Sequence, residues 1–160
     1  MSAAQRLAEL GLELPTVAKP LAAYVPAVAV GDLVYTSGQL PTVGGVLTAT
    51  GRVGDRVSPE EAKQAARVAV LNALAAAADV AGGLDRITRV VRVVVYVAST
   101  RDFTGQPGVA NGASELLGLV FGESGRHARS AVGVAALPLD APVELELVVE
   151  VAPDRASNTH

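Results

Sequence analysis

The chain has 160 residues, half of them apolar, with 3% aromatic and 18% charged, so one domain with a core filled by Ala and Val is expected. Its net charge of −3 and singly scattered arginines argue against an electrostatic nucleic-acid surface. The absence of cysteine, and the presence of only His127 and His160, exclude disulfides, a thiol nucleophile and a thiolate or His-based metal site.

In chain order, no apolar run at the N-terminus or beyond reaches the length of a signal sequence or membrane span, and a soluble cytoplasmic protein is the expectation. Ser2 to Leu10 reads as a short helix whose Leu7 and Leu10, with Leu12, touch a core. The Pro-flanked run 19–26, which holds Tyr24, is an extended linker because each proline pushes its predecessor into the β region. Ala27–Val30 and Leu33–Ser37 form two strands about a Gly31-Asp32 turn, the second running into Gly38-Gln39. Residues 41–57 hold four glycines and read as a loop with one short strand.

Ser58-Pro59-Glu60-Glu61 starts a helix, with Ser58 as cap, Pro59 at the first helical position and Glu61 completing a capping box. That helix runs to about Val80, burying Ala62, Ala66, Val70, Ala73, Leu74 and Ala77, and Gly82-Gly83 stops it. Ile87–Ala98 is a strand apolar on both parities: Val91, Val93, Val95 and Val97 on one, Val90, Val94 and Tyr96 on the other. Such a strand is covered on both sides. A second helix begins near Gln106-Pro107, carries Val109, Ala113, Leu116, Leu117 and Val120 at helical spacing, and ends at Gly122–Gly125. His127–Glu150 then reads as two strands joined by a turn at Pro138, Asp140 and Pro142. Residues 153–160 form a tail.

The order is that of an α+β layer in which two helices cover one sheet face. No helix remains for the other face, although the central strand is apolar there too. A second subunit is therefore expected on it, closed symmetry being the usual solution, and a pocket at the subunit boundary is a natural place for a site.

Arg129, Ala131, Gly133 and Ala135 share one strand parity: a single long cation followed by very small residues. The space they leave could hold a small ligand, and a guanidinium suits a carboxylate because its planar fork matches two oxygens. On spacing alone, an arginine lying along a strand end beside an acid is the more ordinary reading of the same pattern. Residues 44–54 lack the Gly-Lys-Ser/Thr ending of a phosphate loop. Ser37 lacks the first glycine of a nucleophile elbow, and no paired acid and base is evident for it. His127 is either a loop residue or a ligand contact. Glu144, Glu146 and Glu150 alternate with Leu145, Leu147 and Val149, which marks a wet face; a glutamate turned into a closed cavity would instead hold a water or move a proton. Tyr24 is either a packing anchor or a pocket wall.

Tyr24, the segments LVYTSGQ and SPEEAKQAARVAVLNALAAA, the strand RVVRVVVYVAS, Asn111 and ARSAVGVAALPLDAPVELE together resemble the RidA/YjgF family from about Pro20 to Val151. These are the reactive-intermediate (enamine/imine) deaminases, long labelled "endoribonuclease L-PSP". The resemblance implies a chorismate-mutase-like fold, a mixed β-sheet with two helices on one face, assembled as a homotrimer with clefts between subunits. It implies that Arg129 grips a substrate carboxylate and that Glu144 positions the water attacking an imine carbon. Tyr24, Ser37, Gly38 and Asn111 would line the cleft, and the backbone at Ala131 and Val132 would hydrogen-bond ligand or water.

The implied reaction hydrolyses a 2-imino acid or its enamine tautomer to a 2-oxo acid and ammonia. It needs no metal or organic cofactor, because a protonated imine is already electrophilic and needs only positioning and electrostatics. The chain departs from the family in carrying Ala131 where well-studied deaminases have a cysteine, and in being longer before the first strand and between Asn111 and Arg129. It looks like a divergent sub-branch. A trimer that binds a carboxylate metabolite without turnover is the alternative reading. Ribonuclease activity is disfavoured by the acidic balance and the lack of a His acid–base pair.

Overall fold

The computed structural model describes residues 1–17, 19–20 and 22–154, so residue 21 of the expected linker and the tail from 155 onward lie outside the described residues. The short N-terminal helix α1 (Ala3–Glu9) is started by a Ser2–Gln5 capping box and buries Leu7 against the core, while Leu10 stays exposed. Strands β1 (Ala27–Val30) and β2 (Leu33–Thr36) pair about Gly31, whose φ is 59°. The run 41–57 holds two short strands rather than one, β3 (Thr42–Val43) and β4 (Val46–Leu47). Gly44 and Gly45 join them with φ of 59° and 81°, the two positive values that a tight hairpin requires.

Helix α2 (Pro59–Ala81) starts at Ser58 with the expected capping box and Pro, and stops at Gly82, whose φ of 85° turns the chain out of the helix. All six residues of its expected stripe are buried, with five further alanines. Strand β5 (Ile87–Ala98) follows, then α3 (Gln106–Phe121), β6 (Ala128–Val134) and β7 (Val143–Val151). The two long helices cross closely at Gly112, where an added Cβ would run into the Lys63 carbonyl of α2.

The main sheet has the order β1-β2-β7-β5-β6, antiparallel except for the parallel β5–β6 pair. The last two strands are thus not a hairpin: residues 135–142 carry the chain across β5. Asp140 fixes that crossing through an ion pair with Arg56 and by accepting the Gly51 N–H. Helices α2 and α3 cover one face, burying Val34, Val93, Val95, Val97, Leu145 and Leu147 completely or almost so.

Two further expectations change. Register shifts between Ile87 and Arg89 and between Val90 and Arg92 move β5 out of phase, so Val90 joins Val93, Val95 and Val97 on the helix-covered face and Val91 does not. The small-residue floor beyond Arg129 is also not vacant. Directly paired residues share a face, and Arg129, Ala131 and Gly133 pair with Val93, Val95 and Val97. Ala131 packs on the core, and the side chains of Ser99 and Gln106 fill the space where a Gly133 Cβ would stand.

The opposite sheet face has no cover among the described residues. Val28, Tyr35 and Val132 are exposed there, and Val94, Tyr96 and Val148 are half-buried. No helix among the described residues is long and apolar enough to cross a membrane.

Candidate functional site

Arg129 lies on the edge strand β6, on the face that α3 overhangs. Its Nη1 donates to Asn111 Oδ1 at 2.8 Å and to Ser114 Oγ at 3.1 Å. Asn111 and Ser114 stand three apart on α3, one turn, so both reach the same guanidinium. Both acceptors are neutral. None of the ion pairs among the described residues includes Arg129. With Nη1 occupied, Nε and Nη2 keep their N–H groups without a protein acceptor among the described residues, and those two atoms form an edge whose geometry suits bidentate contact with a carboxylate. Beside the guanidinium an open groove of about 450 Å³ runs along Ser114, Gly118, Gly125, Arg126 and His127.

Glu144 belongs to a second cluster. Strands β2 and β7 pair at Tyr35–Val148 and again at Gln39–Leu145, so four steps of one chain match three of the other. The extra residue makes a bulge at Ser37-Gly38. Thr36 Oγ1 supports it by accepting the Leu147 N–H at 3.0 Å. Gly38 lies directly under the Glu144 carboxylate, which occupies the place a Cβ would take. Ser37 donates its hydroxyl to Val25 O at 2.6 Å and its N–H to Pro26 O at 2.8 Å, which pins the segment carrying the exposed Tyr24 beside the bulge. Burial first, and then the neighbouring Glu146 charge, pushes the Glu144 carboxyl above its ordinary range. Glu146 in turn accepts from Tyr96 Oη at 3.1 Å.

The two clusters lie on opposite sheet faces. Arg129 pairs with Val93, and Val93 with the buried Leu147; Glu144 and Val132 both pair with Tyr96, one step out of phase. One protomer therefore brings Arg129 together with Asn111, and Glu144 together with Gly38 and Ser37, but not the first set with the second. Ala131 stands on the Arg129 side of β6 and Val132 on the Glu144 side. Because β6 is an edge strand, its outer backbone groups at these positions lack a strand partner among the described residues.

Sequence reasoning missed one pairing. His127 Nε2 lies 2.9 Å from Ser114 Oγ and Nδ1 lies 2.6 Å from Gly125 O. The signal that could have found it was weak: a serine one turn after Asn111, and a histidine on the residue before β6. Among the described residues no three of His, Asp and Glu come together in a way that could hold a metal ion.

The family described as "YjgF/chorismate mutase-like, putative endoribonuclease" matches residues 4–151. The chain is 46% identical over 151 residues to Protein TCP17 of Trypanosoma cruzi, covering 92% of this chain and 93% of that protein. It is 31% identical over 140 residues to a 2-iminobutanoate/2-iminopropanoate deaminase of Dermatophagoides farinae, covering 88% and 94%. Its fold superposes with a TM-score of 0.86 on the crystal structure of Atu1372, a protein of unknown function from Agrobacterium tumefaciens, at 44% identity over 94% of this chain and 92% of that one. With the family match spanning nearly the whole chain and the α+β sheet arranged as that family has it, the chain belongs to the YjgF/RidA family.

Proposed function

We propose that this protein is a cofactor-free cytoplasmic hydrolase of 2-imino acids and their enamine tautomers, acting at clefts between the copies of a homotrimer. The observation that carries the reading is Arg129, held by two neutral oxygens with its Nε–Nη2 edge left for an anion. A carboxylate on that edge would place the imine carbon at the seam between copies. The uncovered sheet face, with Val28, Tyr35, Val94, Val132 and Val148 on it, supports the assembly, since each large apolar side chain buried there contributes roughly 1.5–3 kcal/mol. A second copy also supplies what one protomer lacks, by bringing a Glu144 cluster to an Arg129 cluster. The deaminase named among the relatives supports the reaction class.

The chemistry balances without a cofactor. Water adds to the protonated imine carbon and gives a proton to Glu144, leaving hydroxyl and amino groups on that carbon. Glu144 returns the proton to nitrogen, the C–N bond breaks, and the hydroxyl proton departs with the nitrogen as ammonium. A carboxyl pushed above its ordinary range is the stronger base for the first step. Asn111, Ser37 and Tyr24 line the cleft, and the backbone at Ala131 and Val132 orients ligand or water.

The test uses 2-iminopropanoate generated from alanine by an amino-acid oxidase. Wild-type protein should speed the appearance of pyruvate, and Arg129→Ala should abolish the acceleration while the thermal melt is unchanged. Equal rates with protein and without it would sink the reading. Pyruvate binding without turnover would favour the metabolite-binding trimer, for which Ala131, standing where family deaminases carry cysteine, is the specific argument.

A further inference from the structure

We infer that His127 is a positioning residue: acting through Ser114, it sets which edge of Arg129 is offered to the ligand's carboxylate. The inference rests on the carboxylate-gripping role of Arg129 proposed above and adds two residues to it.

The direction of each hydrogen bond follows from its partners. A carbonyl only accepts, so His127 Nδ1 must carry the proton that meets Gly125 O at 2.6 Å. In the neutral imidazole Nε2 then bears the lone pair, and the Ser114 hydroxyl at 2.9 Å donates to it. Ser114 has one proton; once that is committed to His127, its oxygen faces Arg129 purely as an acceptor, at 3.1 Å. The chain of donation therefore runs Arg129 Nη1–H to Ser114 Oγ, Ser114 O–H to His127 Nε2, and His127 Nδ1–H to Gly125 O.

A serine inside a helix ordinarily turns its hydroxyl back to the carbonyl four residues earlier, here that of Ala110. His127 draws it outward instead. Asn111 takes the other Nη1 hydrogen at 2.8 Å, so the guanidinium plane is fixed at two points and Nε–Nη2 is the edge left over. The anchor of the chain is rigid, because Gly125 is buried so closely on α3 that a Cβ there would overlap the Leu117 carbonyl. The groove along Ser114, His127 and Arg129 leaves this relay beside open space rather than inside the core.

Five variants and one spectrum decide it. Two-bond proton–nitrogen correlation on the full-length protein at neutral pH should show His127 as the neutral Nδ1–H tautomer; an Nε2–H tautomer or a doubly protonated ring would overturn the inference whatever the protein's activity. With pyruvate as the probe, Ser114→Ala and His127→Leu should each weaken the Kd roughly tenfold, the loss expected for one hydrogen bond to a charged group. Ser114→Thr, which keeps the hydroxyl, and His127→Gln, which keeps an acceptor, should recover most of that affinity. In 2-iminopropanoate turnover the first pair should raise KM and leave kcat near wild type, the pattern of lost uniform binding. Pyruvate affinity unchanged in Ser114→Ala, in a protein whose Arg129→Ala variant no longer binds it, would refute the relay while sparing the clamp. Wild-type protein that binds pyruvate without hydrolysing the imine would remove the deaminase reading alone. Wild-type protein blind to pyruvate at millimolar concentration would remove both.

Discussion

At the scale of single residues, Gly38 and Glu144 form a close contact inside the candidate site. A methyl group at position 38 would occupy the place of the Glu144 carboxylate, and that side chain can swing away without disturbing the sheet. Gly38→Ala should thus keep the melting temperature and lower kcat on the order of a hundredfold, as a misplacement of about 1 Å does at a reacting centre; steady-state kinetics beside a thermal melt checks both halves. Glu144 also carries a pH signature. Its folded-state pKa is raised by burial and by Glu146, so the folded state holds its proton longer than the unfolded chain does, and stability falls as pH rises through that interval. Glu144→Gln should melt higher than wild type at pH 7, with the difference closing at about pH 4 and below; a constant difference across pH would contradict it. The parity of Arg129 and of Glu144 was legible from alternation along their strands. The Ser114–His127 contact was not, because the two residues are 13 apart and meet only through the close seating of Gly125 on α3.

At the scale of elements, α2 was the most legible. Its Ser-Pro-Glu-Glu start, alanine stripe and Gly stop each have a local cause, and every one appears where expected. Strand β5 was harder: valines stand on both parities, so the hydrophobic pattern is silent about the two register shifts that re-aim Val90 and Val91. The pairing of β6 with β5 rather than with β7 was equally hidden, since a turn signal says where a chain bends and not what it crosses. The helix pair supplies its own test. Glycine inside a helix normally costs stability relative to alanine, yet at Gly112 the carbonyl of Lys63 occupies the space a methyl group would need. Gly112→Ala should therefore destabilise by about 1–3 kcal/mol, the range for overpacking a close contact, read as a lower urea midpoint at unchanged m-value. A gain would show that the two helices part freely.

At the scale of the whole molecule, the sequence pointed to a covered second face because β5 is apolar on both sides, and the described residues of one chain leave that face bare. What no pattern in one chain could convey is which copy supplies which group. If the bare face is the seam of the proposed trimer, Val132→Asp should put a charge into it. Light scattering after size exclusion should then give a one-chain mass for the variant and a three-chain mass for the wild type. An unchanged mass would move the seam elsewhere.

The placement of Arg129 and Glu144 on opposite sides of one sheet has a genetic corollary. Arg129→Ala and Glu144→Gln chains, each inert alone, should rescue one another when refolded together, because a junction can draw its cation from one kind of chain and its acid from the other. With random assortment roughly a quarter of junctions would be intact, and hydrolysis should return to about that fraction of the wild-type level.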